Sequence, residues 1–147
     1  MLSAALWAIA LSVTGKAAKA TEAKTGTVDG RIVNLRNNHG QVVCTLYKSA
    51  IGFPENSQDS VTIAVPIKGA DAACVFKGLA YGSYAMVAFH GENHDGKFNR
   101  NWLGMPLEGF GFSNNPTVRV RAPTFDETKF PVDKPEQSIS ISLNYWF

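Results

Sequence analysis

The sequence has no apolar run that is long enough to cross a membrane as a helix. Its longest apolar stretch, residues 2–13, falls short of the roughly 20 residues that a membrane-spanning helix needs. The tripeptide Ala-Lys-Ala at 18–20 has the small-x-small form of a signal peptidase site. We therefore expect residues 1–20 to be a cleaved signal peptide, and residues 21–147 to form a single domain without a membrane span.

The sequence also lacks an excess of charge of either sign. The whole chain has 14 Lys and Arg residues against 12 Asp and Glu residues. Because Lys16 and Lys19 lie in the expected leader, the mature chain is formally neutral. A nucleic-acid-binding protein needs a basic patch or stripe, so nucleic acid is not an expected partner.

Motifs of the common enzyme classes are missing as well. The chain has no GxSxG, no HExxH, no phosphate-binding loop and no Cys–His pair suited to nucleophilic catalysis. We therefore expect a protein that is not an enzyme, with no catalytic residues and no resident cofactor. The alternative is a metal- or carboxylate-dependent hydrolase, in which Glu92, Asp95 and Glu108 supply a general acid and base.

Cysteine is scarce, because only Cys44 and Cys74 occur. An exported chain meets an oxidising compartment, where paired cysteines form disulfides. A disulfide between Cys44 and Cys74 is therefore the expected arrangement, and two buried free thiols are the alternative. With the leader, this pair indicates a periplasmic or secreted protein of a Gram-negative-type envelope.

The sequence does contain repeated short alternation of apolar and polar residues, with little helical periodicity after the leader. Turn residues separate the alternating segments, which is typical of an antiparallel β-sandwich. About seven strands are predicted, over residues 26–35, 40–49, 60–67, 73–79, 82–90, 117–123 and 138–147. The alternation that ends in Phe147 is also typical of a small outer-membrane β-barrel, which is the alternative architecture.

The segment 90–101, "HGENHDGKFNRN", concentrates side chains that bind metal ions. Calcium prefers oxygen ligands, and the candidates are Asn93, Asp95, the carbonyl of Lys97 and Asn99. Acidic and basic residues balance in this segment, so a calcium site would be weak. Asn and Asp side chains also bond to nearby backbone groups in turns, and we expect a loop that satisfies its own hydrogen bonds.

His39, His90 and His94 are candidate ligands for a transition metal. The spacing of His90 and His94 brings two imidazoles together on a helix, whereas His90 ends a predicted strand. A three-histidine site therefore forms only if the fold gathers all three. The simpler expectation is that His90 hydrogen-bonds the loop backbone at the end of its strand.

A second candidate site follows in the same long loop. Trp102, Phe110 and Phe112 offer flat faces for stacking, and the amides of Asn114 and Asn115 offer hydrogen bonds. The sequence therefore predicts an exported, non-catalytic binding module that uses the 91–115 loop, with a glycan, a peptide or an envelope protein as partner. The alternatives are that these aromatic residues only cap the sandwich, and that the loop is a weak calcium-binding structural element.

The segment 82–115, "GSYAMVAFHGENHDGKFNRNWLGMPLEGFGFSNN", carries a longer pattern. It resembles the signature GxYAxxxxHDENxNGKxDxNxxGxPxExxGFSNN of a widespread family of small exported bacterial proteins with a domain of unknown function. The resemblance implies a prealbumin-like, Greek-key β-sandwich and no established activity. The family's array of acidic and amide residues looks like a calcium loop, but Gly91 and Asn99 stand here where that array has Asp.

Overall fold

The computed structural model describes residues 9–15, 21–55 and 57–147. The predicted cleavage site after residue 20 lies outside the described residues, as does most of the predicted leader. Among the residues that are described, no helix has the length and apolarity to cross a membrane.

The chain folds into two packed β-sheets, as the alternation predicts. The elements in chain order are β1 (Thr25–Val33), β2 (Gln41–Tyr47), β3 (Ser60–Pro66), β4 (Ala72–Ala80), β5 (Gly82–Gly91), β6 (Phe110–Phe112), α1 (Phe125–Thr128), β7 (Phe130–Val132) and β8 (Glu136–Ser142). One sheet has the order β4-β1-β8, and the other has the order β3-β2-β5-β6, with β7 paired to the free part of the β5 edge. The predicted β-sandwich is confirmed, with eight strands rather than about seven.

The strand directions differ from the prediction at one pair. Strands β1 and β8 run parallel, whereas the other named strand pairs of the described segments are antiparallel. A parallel pair cannot be joined by a tight hairpin and needs a crossover connection. Here the crossover is most of the chain, since β1 opens the described domain and β8 closes it.

The core lies between the two sheets and follows the two-residue period of the strands. Val28 and Ile32 of β1 face Leu46 of β2 and Met86 of β5, and all four are fully buried. Cys44 of β2 and Cys74 of β4 are bonded to each other across this core, with their Cα atoms 6.4 Å apart. The predicted disulfide is confirmed, and it joins the five-stranded sheet to the three-stranded sheet.

The predicted strand over 117–123 is wrong, because this segment forms an irregular loop. Its alternation is regular, and Val120 is almost fully exposed. The edge of β5 that could have received it is already occupied by β6 and β7. The predicted terminal strand also ends early, at Ser142. Beyond it, the N–H of Leu143 donates to the carbonyl of Val33 at 3.0 Å, and Asn144 forms an isolated bridge with Phe110.

Candidate functional site

Strand register places two rows of side chains on the outer face of the five-stranded sheet. Each row takes one residue from β2, β5 and β6: Thr45, Val87 and Phe112 in the first, and Val43, Phe89 and Phe110 in the second. Gly111 faces the other way, where a Cβ would lie only 2.6 Å from Cγ2 of Ile141. Its missing side chain lets β6 approach the core while Phe110 and Phe112 point outward.

Loops close around these rows and leave a cavity of about 390 Å³, which we call the aromatic groove. Five aromatic side chains line it, namely Tyr47, Phe89, Phe98, Phe110 and Phe112. The remaining lining includes Thr45, Val87 and segments around Pro54, Arg100 and Ala122. The outer face of this sheet is therefore partly covered by loops and largely apolar.

Ring-to-ring contacts hold the walls of the groove in place. Phe53 packs its ring edge-on against Tyr47, with centroids 4.9 Å apart, and against Phe125 at 5.8 Å. Phe98 packs at a tilt against Phe89, with centroids 5.5 Å apart, and edge-on against Phe110 at 5.9 Å. Such pairs add to the free energy gained from burial. The loops before β3 and before β6 are thus anchored to the sheet by aromatic side chains.

The hydroxyl of Tyr47 is engaged within the wall. It donates a hydrogen bond to the carbonyl of Pro54. Burial raises the pKa of Tyr47 above its ordinary value, and the nearby charge of Glu55 adds to this effect. The phenol therefore stays neutral, and it fixes the wall instead of offering a free polar group to a ligand.

An ion pair between Arg100 and Glu55 lies at the rim of the groove. The guanidinium of Arg100 lies 5.1 Å from the ring centroid of Phe98, and its Nη2 is 3.2 Å from Oε1 of Glu55. Both side chains are open to solvent, with exposed fractions of 45% for Arg100 and 67% for Glu55. The groove thus combines an apolar interior with a cation and an anion at its rim.

A smaller cavity of about 220 Å³ adjoins the groove and shares Phe98, Arg100, Phe110 and Phe112 with it. Its further lining includes Arg121 and Trp146. The ring of Trp146 packs edge-on against Phe110, with centroids 5.4 Å apart. The two cavities therefore lie next to each other on the outer face of the five-stranded sheet.

The structure assembles only part of the aromatic platform that the sequence predicts. Phe110 and Phe112 lie in the groove and are only 5% and 7% exposed. Trp102 is 91% exposed at the tip of a turn and is not among the groove-lining residues. Two of the three loop aromatics thus pack on the sheet, as in the capping alternative, while the third stands free in solvent.

The amides of Asn114 and Asn115 bind the protein's own backbone. Nδ2 of Asn114 donates to the carbonyl of Lys129 at 2.8 Å. Asn115 receives a hydrogen bond from the amide of Ser142 at 2.8 Å and donates one to the carbonyl of Ser140 at 2.9 Å. Both residues have positive φ, which Asn tolerates better than most residues. They fasten the turn after β6 to α1 and β8.

The sequence did not point to Tyr47, Phe89, Phe98 and Arg100 as site residues. One signal was available in "QVVCTLY", the sequence of β2, which is apolar at most positions and is buried on both faces. A strand of that kind needs cover on its outer face as well as its inner face. The covering loops, however, come from distant parts of the chain.

The candidate calcium ligands form a self-bonded loop. Oδ1 of Asp95 accepts the backbone N–H of Lys97 at 2.8 Å, and Oδ1 of Asn93 accepts the N–H of Asp95 at 3.3 Å. These are the turn bonds that the sequence predicts. Nδ2 of Asn99 donates to Oδ2 of Asp95 at 3.0 Å and to Oε1 of Glu108 at 3.3 Å. The Asn99 amide therefore stands between the two carboxylates that a cation would need.

The two carboxylates have opposite pKa shifts. The hydrogen bond from the Lys97 N–H, followed by that from Asn99, lowers the pKa of Asp95. Burial raises the pKa of Glu108 despite its hydrogen bonds from Asn99. In the described residues, no group of three or more His, Cys, Asp or Glu side chains is placed to hold a metal ion.

We expect that millimolar Ca²⁺ leaves the melting temperature of the protein unchanged, because amide donors already occupy the carboxylate oxygens of this loop. The variant Asn99→Asp replaces the bridging amide by a third carboxylate. Its melting temperature should fall in chelator and recover with Ca²⁺, since a ligand of the native state stabilises it by mass action. Thermal melts of both proteins with chelator and with Ca²⁺ check this, and a calcium shift in the unaltered protein would contradict it.

His90 is fully buried and has two hydrogen-bond partners. Its Nε2 lies 2.6 Å from the carbonyl of His39, and its Nδ1 lies 2.8 Å from the hydroxyl of Tyr145. A carbonyl only accepts, so Nε2 donates to His39, and Nδ1 is left to share a hydrogen bond with the hydroxyl of Tyr145. The three histidines are not gathered into a metal site among the described residues. His90 instead ties the loop before β2 to the C-terminal segment.

The carboxylates of the hydrolase alternative lie apart from the groove lining. Glu92 accepts a hydrogen bond from Nε of Arg36 at 2.6 Å. Partial burial opposes ionisation of Glu92, but the hydrogen bonds from Arg36 and Asn37, with the charge of Arg36, lower its pKa overall. Asp95 and Glu108 belong to the self-bonded loop described above.

Comparison with known proteins identifies a family. A family model described as "uncharacterized protein conserved in bacteria (DUF2141)" matches residues 31–140. No curated protein and no solved structure matches the chain. The matched range runs from β1 into β8 and contains every strand of the five-stranded sheet. The resemblance to a bacterial family of unknown function is confirmed, while the detailed signature over 82–115 stays a prediction.

Proposed function

The chain belongs to the bacterial family of uncharacterized proteins DUF2141, and from this premise we propose that it is a non-catalytic binding module of the cell envelope whose ligand occupies the aromatic groove. The disulfide supports a location outside the cytoplasm, because such bonds persist in oxidising compartments. The leader predicted for residues 1–20 supports the same location.

The observation that carries this proposal is a half-open, largely apolar cavity between the outer face of the five-stranded sheet and the loops that cover it. Loops that serve only as cover would fill the space over the sheet. Phe98 does pack onto Phe89, but the loops and the sheet still leave about 390 Å³ beside the five aromatic rings. Small-molecule sites are typically apolar clefts of about 300–1,000 Å³ with a few polar groups.

The chemistry of the lining favours an apolar ligand over a glycan. A sugar needs many hydrogen-bond partners, whereas Thr45, Glu55 and Arg100 are the main polar side chains at the groove. The Tyr47 hydroxyl is already bonded to the wall. The part of the ligand that lies against the aromatic rings is therefore a compact apolar body.

A groove-blocking variant tests the proposal. The neutral fluorophore N-phenyl-1-naphthylamine should bind the protein with a fluorescence increase that saturates. Val87→Trp, on the groove floor, should weaken this binding by about tenfold or more, because the indole fills the space that the probe needs. The measurement is a fluorescence titration, with circular dichroism confirming that the variant is folded.

The matched control is Val75→Trp. Val75 also lies within a strand, but on the exposed outer side of β4 in the other sheet. This variant should bind the probe as the unaltered protein does. Equal binding by a folded Val87→Trp variant, or no binding by the unaltered protein, would overturn the proposed function.

A further inference from the structure

The charges around the groove identify a class of ligand. We propose that the occupant is an amphipathic organic anion, whose flat apolar body lies against the aromatic rings while its acidic group pairs with Arg100. This inference rests on the proposed function and specifies the ligand chemistry of the same site.

Each of the two arginines at the adjoining cavities already has an acidic partner. Arg100 faces both cavities and is paired with Glu55, and Arg121 faces the smaller one and is paired with Glu127. The net charge of the site therefore selects no ligand, and an anionic ligand is favoured over a cationic one only where an arginine can exchange its partner for the acidic group of the ligand. Cation–π attraction at the rings would favour the opposite choice, so the experiment below must separate the two.

Arg100 and Arg121 differ in how firmly their charges are already paired. Arg121 makes two hydrogen bonds of 2.9 Å to the two carboxylate oxygens of Glu127. These bonds, with the backbone N–H of Thr124, lower the pKa of Glu127 to about 2. Arg100 has one contact with Glu55, at 3.2 Å, between two exposed groups. Exposed pairs of this kind contribute little to stability, so a ligand acid can replace Glu55 at low cost.

The position of Arg100 does not depend on Glu55 alone. Its guanidinium lies over the ring of Phe98, and its Nη1 is 3.3 Å from the carbonyl of Gly104. The turn that bears it is closed by backbone bonds from Asn101 to Met105 at 2.9 Å and from Leu107 to Asn99 at 3.0 Å. The cation is thus held beside the groove before any ligand arrives, and such preorganisation lowers the entropic cost of binding.

Two fluorophores with the same aromatic skeleton separate the acidic group from the apolar body. 8-Anilino-1-naphthalenesulfonate carries a sulfonate that N-phenyl-1-naphthylamine lacks. We expect the sulfonate probe to bind more tightly at low salt and to lose this advantage as salt is added. Arg100→Gln should weaken binding of the sulfonate probe by about tenfold, since a charge-assisted hydrogen bond is removed, and leave the neutral probe within about twofold.

The matched control is Arg31→Gln. Arg31 is also an exposed arginine in an ion pair, with Asp71, but it lies on β1 in the three-stranded sheet. Its substitution should change the binding of neither probe. Thermal melts of both variants establish that they are folded, so a changed affinity reports on the site.

The outcomes distinguish a failure of the anion inference from a failure of the proposed function. If the neutral probe binds and Arg100→Gln leaves both affinities unchanged, the groove stands as a binding site but the anion inference is wrong. Tighter binding of a naphthyl ammonium compound than of the sulfonate probe would overturn it equally, in favour of Glu55 and the aromatic rings. If neither probe binds, the proposed function itself fails.

Discussion

Replacing Cys44 and Cys74 together by Ala should lower the free energy of unfolding by about 3–4 kcal/mol, as the chain-entropy model gives for a loop of this length. The bond closes a loop between residues 30 positions apart and joins β2 to β4 across the core. Both cysteines are fully buried, so the variant also loses packing at the centre of the sandwich. Urea unfolding followed by circular dichroism measures the loss.

A reductant provides the control for this prediction. Adding dithiothreitol to the unaltered protein should reproduce most of the destabilisation, whereas the double Ala variant should not respond to it. A loss below about 1 kcal/mol would mean that the two sheets are held together by hydrophobic burial alone, and the bond would then be incidental to stability.

His90→Phe should lower the free energy of unfolding by about 2–4 kcal/mol, because the carbonyl of His39 and the hydroxyl of Tyr145 lose their partner in a buried place. The phenyl ring is larger than imidazole, so the variant leaves no cavity, and the loss reports the missing hydrogen bonds together with any overpacking of the larger ring. Denaturant unfolding measures it.

Tyr145→Phe is the matched variant, since it removes only one of the two bonds and leaves His90 in place. It should cost less, and the double variant should cost less than the two single losses combined, because the residues form one network. If Zn²⁺ raised the melting temperature of the unaltered protein but not of His90→Phe, the structural role given to His90 would be wrong.

The features that the sequence predicted well are those that depend on local pattern. Two-residue alternation located the long strands, and the two cysteines of a chain that is predicted to be exported allowed one intramolecular pairing. The false strand over 117–123 shows the limit of the same rule. Alternation indicates that a segment can pair, but a strand forms only where the fold brings that segment alongside a free sheet edge, and the edge of β5 is taken by β6 and β7.

The three-residue strands β6 and β7 were missed for a related reason. Three residues are too few for a period to be recognised, and their pairing is determined by the long strand that they join. Because Asn114 and Asn115 lie close to aromatic residues in the sequence, their amides predict part of a ligand platform. Their positive φ angles and backbone partners become visible only when the chain is folded.

The groove could not be predicted from any single segment. It forms where Tyr47 of β2, Phe89 of β5 and Phe98 of a loop meet, and these residues are far apart in the chain. Of the predicted 91–115 loop, Phe98, Arg100, Phe110 and Phe112 line the groove, whereas Trp102 does not. Trp102 is an aromatic residue of the kind that often contacts ligands. It lies at the tip of a turn, however, where it is almost fully exposed and does not line the groove.

The most direct test of the central claim is to map the bound probe by NMR. In a titration of the ¹⁵N-labelled protein with N-phenyl-1-naphthylamine, the amide shifts that change most should belong to the groove, including Thr45, Val87 and Phe98. The amides of Val75 and Trp102 should stay in place. Shifts centred on the Trp102 tip, or on the outer face of the three-stranded sheet, would contradict the assignment of the aromatic groove as the binding site.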